Sequence, residues 1–279
     1  MADTFTEDVT ARMSDLLSGV ERLGVAFSGG VDSSVLLALA ARTLGRDRVL
    51  AVLGVSPSLA ADERTAAHAV AAAIGVPVVE IVTHEGDRAE YQANGPDRCF
   101  HCKDELFTRI DDEVVNAHRL DAVAYGENAD DALLPDRPGS RAATAHRVLR
   151  PLADAGLDKS AVRKIARDLD LPCADKPAAP CLASRIPHFQ IVSPEKLAQI
   201  EAAEAALRRL GLGDLRVRHH GEVARIELSG TDLVRAVSDP LRGAVHAAVL
   251  AAGFRFAAVD LAGVQSGAFT LPLVQVGHG

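Results

Sequence analysis

Short apolar segments alternate with longer amphipathic ones in the first half of the chain, and this rhythm predicts a parallel sheet. The apolar runs predict buried strands over residues 23–27, 48–55, 76–82 and 120–125. The longer segments predict helices over residues 6–20, 33–44, 62–75 and 103–118. Strands that alternate with helices form parallel sheets covered on both faces. Because ligands of such sheets bind beyond the carboxyl ends of the strands, we expect functional residues there.

Polar and proline-rich stretches interrupt this rhythm. The composition predicts loops over residues 84–98 and 134–139 and a helix over 159–169. The prolines spaced along residues 171–185 are incompatible with a regular helix, so this stretch is predicted to be a fixed, extended loop.

The C-terminal part has a different pattern. A helix is predicted over residues 194–210, a hairpin over 215–219 and 223–228, a helix over 241–252 and a strand over 254–261. We therefore predict an α/β fold with two domains, a parallel-sheet domain over residues 1–187 and a small α+β domain over 188–279. The last dozen residues have no clear signal.

Composition narrows the class of protein. The net charge is −8 over 279 residues, which argues against a broad basic surface for nucleic acid. Hydrophobic residues make up 48% and aromatic residues 4%, so aliphatic side chains must fill the cores. The polar first ten residues do not resemble a signal peptide, and apolar runs are too short to span a membrane. We expect a cytoplasmic protein whose four cysteines are thiols or metal ligands.

The segment between the first strand and the next helix reads Ser28-Gly29-Gly30-Val31-Asp32-Ser33. Adjacent glycines allow a sharp turn with exposed amides, the serines add hydroxyl donors, and the helix directs its positive end at the turn. These features predict a phosphate cradle, in which Asp32 would orient groups or bind Mg²⁺. The string resembles the PP-loop of ATP pyrophosphatases and lacks the Gly-Lys-Ser/Thr of a Walker A loop. A purely structural turn is the alternative.

Two other strand ends are candidate ligand sites. Gly54 and the residues up to Ser56 end the second strand and are predicted to contact adenine. Gly126 ends the fourth strand, followed by acidic residues and by Arg137 in the next loop. Ordinary turn chemistry is the alternative for this second group.

Cys99 and Cys102 form a C-x-x-C pair, and Cys181 lies in the proline-rich loop. A redox dithiol, a structural zinc site completed by His101 or Cys173, and a three-cysteine iron–sulfur cluster all remain open. Direct sulfur chemistry on a thiol is a further possibility. Cys173 by itself is predicted to be a small buried residue.

The complete set of motifs resembles the LarE family over nearly the whole chain. The motifs are the PP-loop, Arg98-Cys99-x-x-Cys102-Lys103, Asp136-Arg137-Pro138-Gly139, Pro180-Cys181-Leu182-Ala183-Ser184-Arg185, and Arg216-Val217-Arg218 followed by Ala224-Arg225-Ile226-Glu227. The resemblance implies a Rossmann-like nucleotide α-hydrolase domain and an ATP-dependent sulfur transferase. Such enzymes adenylate the carboxylates of a pyridinium biscarboxylate mononucleotide and convert them to thiocarboxylates for the nickel-pincer nucleotide, the cofactor of lactate racemase.

The resemblance also implies two kinds of sulfur source. Some members sacrifice one cysteine, and others hold a [4Fe-4S] cluster on three cysteines. The cysteines of this chain match the second kind, with Cys99, Cys102 and Cys181 as ligands, while Cys181 would be the sacrificed residue in the first kind.

Roles for other residues follow from the same resemblance. Ser28, Gly29, Gly30, Asp32 and Ser33 would hold ATP and Mg²⁺ as pyrophosphate departs. Residues beside the cysteines would neutralise the carboxylate and the adenylate: Lys103, Ser184 and Arg185. A second site would bind the substrate phosphate through Arg216 and Arg218, with Glu204, Arg225 and Glu227 nearby. A surface lysine and a solvated ion-pair surface are the alternative interpretations.

Three other functions stay open: a PP-loop thiolase acting on tRNA, an amide-forming synthetase of the NAD or GMP synthetase type, and a zinc-containing nucleotide sensor without catalysis. For the favoured function we expect a small-molecule substrate, neither nucleic-acid nor membrane partners, a sulfur donor that the sequence does not name, and a homo-oligomer.

Overall fold

The computed structural model describes residues 4–133 and 137–265, which divide into two compact units. The first unit comprises residues up to 56, 61–85 and 99–179. The second comprises residues 57–60, 86–98 and those from 180 onward. Two short segments of the N-terminal half thus belong to the second unit. The sequence-based boundary near residue 187 stays a prediction.

A parallel four-stranded sheet forms the centre of the first unit. Its strands are β1 (Leu23–Ala26), β2 (Val49–Val55), β3 (Val78–Val82) and β4 (Ala122–Tyr125). Their order in the sheet is β3-β2-β1-β4, and every neighbouring pair is parallel. The predicted α/β class with a parallel sheet is therefore confirmed. At the carboxyl edge Ala26 of β1 is in register with Val52 and Tyr125 on its two sides.

Helices connect these strands. In chain order they are α1 (Thr4–Leu16), α2 (Val31–Leu44), α3 (Ala61–Ile74), α4 (Ala89–Gln92) of the second unit, α5 (Arg98–Arg109), α6 (Asn116–His118), α7 (Ala129–Ala132), α8 (Pro138–Ala145), α9 (Pro151–Asp154) and α10 (Lys159–Asp168). A π-helical turn over Ile110–Val115 joins α5 to α6. Helix α2 is apolar around most of its circumference, which is why Val35, Leu36 and Leu39 are all fully buried.

Several predicted elements have different bounds. Helix α5 begins at Arg98 rather than Lys103, so both cysteines of the C-x-x-C pair lie within its first turns. The predicted loop over 84–98 contains a 3₁₀ turn at Glu85–Asp87 and the short helix α4. On α1, Val9 and Met13 are buried, whereas Leu16 is 40% exposed. Of the predicted loop over 134–139, residues 134–136, including Asp136, lie outside the described residues, and α8 begins at Pro138.

The second unit is built around a three-stranded sheet. Strands β5 (Leu215–His220) and β6 (Val223–Leu228) form the predicted hairpin, and β7 (Phe256–Val259) pairs with β6 in parallel. Helices α11 (Pro194–Arg209), α12 (Gly230–Val237) and α13 (Leu241–Ala251) complete this unit, and α12 was not predicted. Apolar side chains such as Leu207, Val217 and Ile226 form its core.

The proline-rich stretch over residues 171–185 contains no α-helix, as predicted, and ends in a 3₁₀ turn at Leu182–Arg185.

Within the described ranges 4–133 and 137–265, none of the helices combines the length and apolar character needed to cross a membrane.

Candidate active site

The PP-loop follows β1 at the carboxyl edge of the parallel sheet. Gly29 adopts φ +71°, and a Cβ there would come within 2.7 Å of Ala67 Cα on α3, so this position requires glycine. The Ser33 hydroxyl donates to the Gly30 carbonyl at 3.1 Å, and the Ser28 amide donates to the Ser33 hydroxyl at 3.3 Å. These contacts hold the loop at the N-terminus of α2, where helix amides favour an anion.

The end of β4 packs directly on the PP-loop helix. A Cβ built on Gly126 would lie 2.6 Å from the Ser33 nitrogen, so only glycine allows this approach. Two residues later, the Asn128 side-chain amide donates to Asp32 Oδ1 at 3.0 Å. The strand ends that the sequence analysis selected are therefore adjacent within the first unit.

Asp32 also forms an ion pair with the ammonium group of Lys159, the first residue of α10. The Lys159 amide in turn donates to Asp130 Oδ2 at 2.9 Å. The Asp32 carboxylate is thus held by one amide and one cation in this structure. A Mg²⁺ ion bound by Asp32 would share the carboxylate with Lys159 or replace its ammonium group. No group of three or more metal-ligating side chains has metal-site geometry in the part of the chain that the structure describes.

The predicted adenine position is packed against α5. A Cβ on Gly54 would meet the Leu106 side chain at 2.8 Å. At the same edge the Ser56 hydroxyl donates to Glu85 Oε1, and Glu85 is 2% exposed. Sequence reasoning missed Glu85, although its place shortly after a strand end was a usable signal.

Lys103 lies across the end of β4. Its Nζ is 3.9 Å from the centroid of the Tyr125 ring, and a Cβ on Gly139 would come within 3.0 Å of its Cδ atom. Burial, reinforced by the positive charge of Arg137, lowers the pKa of Lys103 to about 8, against the opposing effect of Glu127. Lys103 is therefore a semi-buried cation and not a solvated surface lysine.

Glu127 is the anionic centre beside this lysine. It is 1% exposed, accepts a hydrogen bond from Ser140, and has Arg137 and Arg150 at 3.7 Å from its two oxygens. Its Oε2 atom has no hydrogen-bond partner among the described residues. Buried carboxylate oxygens usually accept hydrogen bonds, so Glu127 Oε2 is available to accept a further one.

The four cysteines differ in their surroundings, and none of them forms a disulfide. Cys99 is exposed and Cys102 is partly exposed, and at i and i+3 of α5 they share one face of the helix. That spacing fits two thiolate ligands of one metal or cluster. Cys173 is 1% exposed, in agreement with the predicted small buried residue. Cys181 is exposed and belongs to the second unit.

The turn that carries Cys181 is surrounded by arginines. The Arg185 Nη1 donates to the carbonyls of Pro180 at 2.6 Å and of Cys181 at 3.3 Å. Arg98 donates to the Ala183 carbonyl at 3.0 Å, and Arg218 donates to the Ser184 carbonyl at 2.9 Å. We name residues 180–185 the Cys181 turn.

Buried carboxylates hold two of these arginines. Arg185 Nε donates to Glu204 Oε1 at 2.9 Å, and Glu204 also accepts the Val217 amide at 3.0 Å. Arg218 forms a two-pronged pair with Glu227 at 2.9 and 2.8 Å. The remaining predicted residue of this group, Arg225, contacts Glu227 at 3.4 Å and pairs with Asp260. Glu204 and Glu227 are both at most 1% exposed, so they are not a solvated surface.

Arg216 and Arg218 share a face of β5, as strand alternation predicts. Both donate to the carbonyl of Gln265, at 2.7 and 3.0 Å. Burial and the positive charges of Arg185 and Arg218 lower the pKa of Arg216. A cluster of like charges of this kind favours an anionic ligand.

Two groups of predicted residues thus come together, one in each unit. The first unit contains the PP-loop, Gly126, Lys103 and Arg137, and the second contains Cys181, Ser184, Arg185, Glu204, Arg216, Arg218, Arg225 and Glu227. Besides Glu85, the sequence analysis assigned no role to Asn128, Lys159, Glu127 and Arg98. Asn128 and Glu127 follow a strand end directly, and Arg98 begins the motif that contains Cys99 and Cys102, so signals were available for these three, whereas Lys159 had none.

Comparison with known proteins gives the following matches. A family model described as asparagine synthase matches residues 2–116. The uncharacterized protein slr1717 of Synechocystis is 39% identical over 89% of this chain and 91% of its own length. Pyridinium-3,5-bisthiocarboxylic acid mononucleotide synthase of Lactiplantibacillus plantarum is 32% identical over 90% of each chain. The uncharacterized protein MJ0830 of Methanocaldococcus jannaschii is 34% identical over 52% of this chain and 56% of its own.

Proposed function

The chain belongs to the LarE family of ATP-dependent sulfur transferases, and on that premise we propose that it makes pyridinium-3,5-bisthiocarboxylic acid mononucleotide from the biscarboxylic acid. The observation that carries the proposal is the PP-loop with Asp32 at the carboxyl edge of a parallel sheet. An anion cradle without a Walker lysine suits the release of pyrophosphate from ATP. ATP and Mg²⁺ are the proposed cofactors.

The first step is adenylation. A substrate carboxylate oxygen attacks the α-phosphorus of ATP, the α–β phosphoanhydride bond breaks, and pyrophosphate leaves. The α2 amides and the Ser28 and Ser33 hydroxyls would bind the departing phosphates, with Asp32 holding Mg²⁺. Lys103 would lie close enough to the strand end to offset the negative charge of the carboxylate.

The second step is sulfur transfer. A sulfur nucleophile attacks the acyl carbon of the adenylate, and AMP leaves with the original carboxylate oxygen. We propose Cys99, Cys102 and Cys181 as ligands of a [4Fe-4S] cluster, to which the shared helix face of the first two is suited. Such a cluster supplies an open iron that can carry an extra sulfur atom. Cys181 would be a cluster ligand in that case and the sacrificed residue in the other kind of sulfur source.

The mononucleotide phosphate is proposed to bind at Arg216 and Arg218. The support is their shared strand face, together with the burial and the neighbouring positive charges that lower the pKa of Arg216. A phosphate there would displace or share the donors that now bind the Gln265 carbonyl. The proposed enzyme acts in the cytoplasm, as a homo-oligomer, with a small-molecule substrate and no nucleic-acid or membrane partner.

The decisive experiment combines product and metal analysis on protein purified without oxygen. With ATP, Mg²⁺ and the biscarboxylic mononucleotide, we expect pyrophosphate and a product whose mass shows oxygen replaced by sulfur. About four irons and four sulfides per chain, lost in Cys99→Ala, would support the cluster. Zinc or no metal, together with loss of hydrogen sulfide from Cys181, would instead identify a sacrificial cysteine.

An amide-forming synthetase is the second candidate, because the family model that matches residues 2–116 is described as asparagine synthase. Amide formation needs no thiols. A triple variant with Cys99, Cys102 and Cys181 changed to Ser would keep full activity in that case, whereas the proposed sulfur transfer would stop.

A further inference from the structure

We propose that Arg98, Arg185 and Arg218 act together as positioning residues that hold the Cys181 turn in one conformation for sulfur transfer. Nothing in the sequence analysis assigned a role to Arg98, and the other two were expected to bind the substrate. The inference rests on the proposed function of Cys181.

The three side chains bind the backbone of the turn and not one another. Four of its six carbonyls, those of Pro180, Cys181, Ala183 and Ser184, each accept a hydrogen bond from one of these guanidinium groups. A fifth contact fixes the middle of the turn, where the Leu182 amide donates to the Ser58 carbonyl at 2.9 Å. Charged donors make stronger hydrogen bonds than neutral ones, so the path of the turn is firmly specified.

This dependence on side chains has a local cause. Two backbone hydrogen bonds close the 3₁₀ turn, from the Ser184 amide to the Cys181 carbonyl at 2.9 Å and from the Ile186 amide to the Ala183 carbonyl at 3.2 Å. Pro180 has no amide hydrogen, and the stretch before it forms neither helix nor strand. The arginine side chains add charged donors to this short turn. Cys181 is exposed while its carbonyl is bound, which keeps the thiol accessible on a rigid support.

These arginines are buried and hydrogen-bonded to protein groups, as a positioning role requires. Arg98, Arg185 and Arg218 are only 8%, 5% and 3% exposed. The Nε, Nη1 and Nη2 atoms of Arg185 all donate to protein acceptors, and those of Arg218 do the same through Glu227, Ser184 and Gln265. A guanidinium occupied in this way orients its neighbours, and Arg218 would in addition share its Nη2 donor, which now binds the Gln265 carbonyl, with the substrate phosphate.

Arg98 offers the cleanest test. Arg98 donates to the neutral side chain of Asn94 and to the Ala183 carbonyl, and Arg98→Met removes both hydrogen bonds. By contrast, Arg185→Met would take one guanidinium away from the buried Glu204 and leave it with Arg208 and the Val217 amide, and loss of one partner of a buried ion pair is strongly destabilising. Arg163→Met is the matched control, because Arg163 donates to the carbonyls of Ala174 and Lys176 earlier in the same proline-rich stretch.

Three readouts are compared in the complete chain: amide hydrogen exchange of the peptide over 180–186, pyrophosphate release, and sulfur transferred per pyrophosphate released. For Arg98→Met we expect exchange in the turn to rise roughly tenfold and sulfur per pyrophosphate to fall roughly tenfold or more, with pyrophosphate release nearly unchanged. Arg98→Lys should restore part of the sulfur transferred per pyrophosphate. Arg163→Met should change neither the exchange in the turn nor the sulfur transferred per pyrophosphate.

Unchanged exchange in the turn would overturn the inference, as would faster exchange without any fall in sulfur per pyrophosphate. A parallel fall of both partial reactions would also overturn it, because it would indicate a general loss of structure. If Arg98→Met folds poorly, Arg98→Lys is compared with the parent by the same readouts. The proposed role of Cys181 fails separately if Cys181→Ala still transfers sulfur, and the exchange measurement is unaffected by that result.

Discussion

Gly126 touches the first turn of the PP-loop helix so closely that a Cβ atom on it would lie 2.6 Å from the Ser33 backbone nitrogen. Real Cβ atoms do not approach backbone atoms to this distance, and backbone yields less easily than a side-chain tip. The contact joins the end of β4 to the loop that is expected to bind phosphate. The shape of the cradle therefore depends on a residue far away in the sequence.

Gly126→Ala should displace the start of α2 and damage the phosphate cradle. We expect the free energy of unfolding to fall by about 1–3 kcal/mol and pyrophosphate release to fall roughly tenfold. Chemical denaturation and a pyrophosphate assay measure the two effects. Gly243→Ala in the first turn of α13 is the control, because nothing lies within 4 Å of its Cβ position. Full activity in Gly126→Ala would show that the close approach is not needed.

Asp32→Asn should stop Mg²⁺-dependent pyrophosphate release. The substitution keeps the side-chain shape but removes the charge that would bind Mg²⁺, so we expect a loss on the order of 100-fold. The rate is measured over a range of Mg²⁺ concentrations. Asp130→Asn provides the control, since Asp130 accepts the Lys159 amide without touching Asp32 directly. An Asp32→Asn enzyme with normal Mg²⁺ dependence would refute the metal-binding role.

Cys181→Ser should separate the two halves of the reaction. Serine keeps the size of the side chain but removes the sulfur, so we expect pyrophosphate release to continue while thiocarboxylate falls to background. Mass spectrometry of the product measures thiocarboxylate, and a pyrophosphate assay measures the first half of the reaction. Cys173→Ala is the comparison, because Cys173 is buried and should affect stability alone. Thiocarboxylate made by Cys181→Ser would remove Cys181 from the sulfur path.

The strand ends were predictable because two signals agreed there. Apolar runs located β1 and β4, and glycines with polar residues followed directly. In a parallel sheet the carboxyl ends of the strands lie at one edge, independently of the helices that connect them. The PP-loop and Gly126 could therefore be placed together before any coordinates were known.

The polar contacts were not predictable from the same signals. Arg218 pairs with Glu227 although Arg225 stands directly opposite it in the strand register, because a long side chain reaches the diagonal neighbour. Helix α8 was missed because it begins with Pro138-Gly139-Ser140, which favours a turn, and because its buried residues are the small Gly139, Ala142 and Ala143. Tertiary packing determines both the Arg218–Glu227 pair and helix α8, and the local sequence pattern contains little information about such packing.

His146 links α8 to α5, and its charge should contribute to stability in a pH-dependent way. Its Nδ1 lies 3.1 Å from Asp111 and its Nε2 3.0 Å from Asp104, and both nitrogens can donate only when the ring is protonated. Burial by itself lowers the pKa of His146, but the hydrogen bonds to Asp104 and Asp111 outweigh it and the pKa is raised above 6.5. The stabilisation is complete below the pKa of His146 in the unfolded chain and disappears as the pH rises through its pKa in the folded protein.

His146→Gln should therefore lower the free energy of unfolding more at about pH 6 than at about pH 9, measured by urea denaturation. The exposed His246 on α13 supplies the control, and a loss in His146→Gln that is equal at both pH values would contradict the assignment.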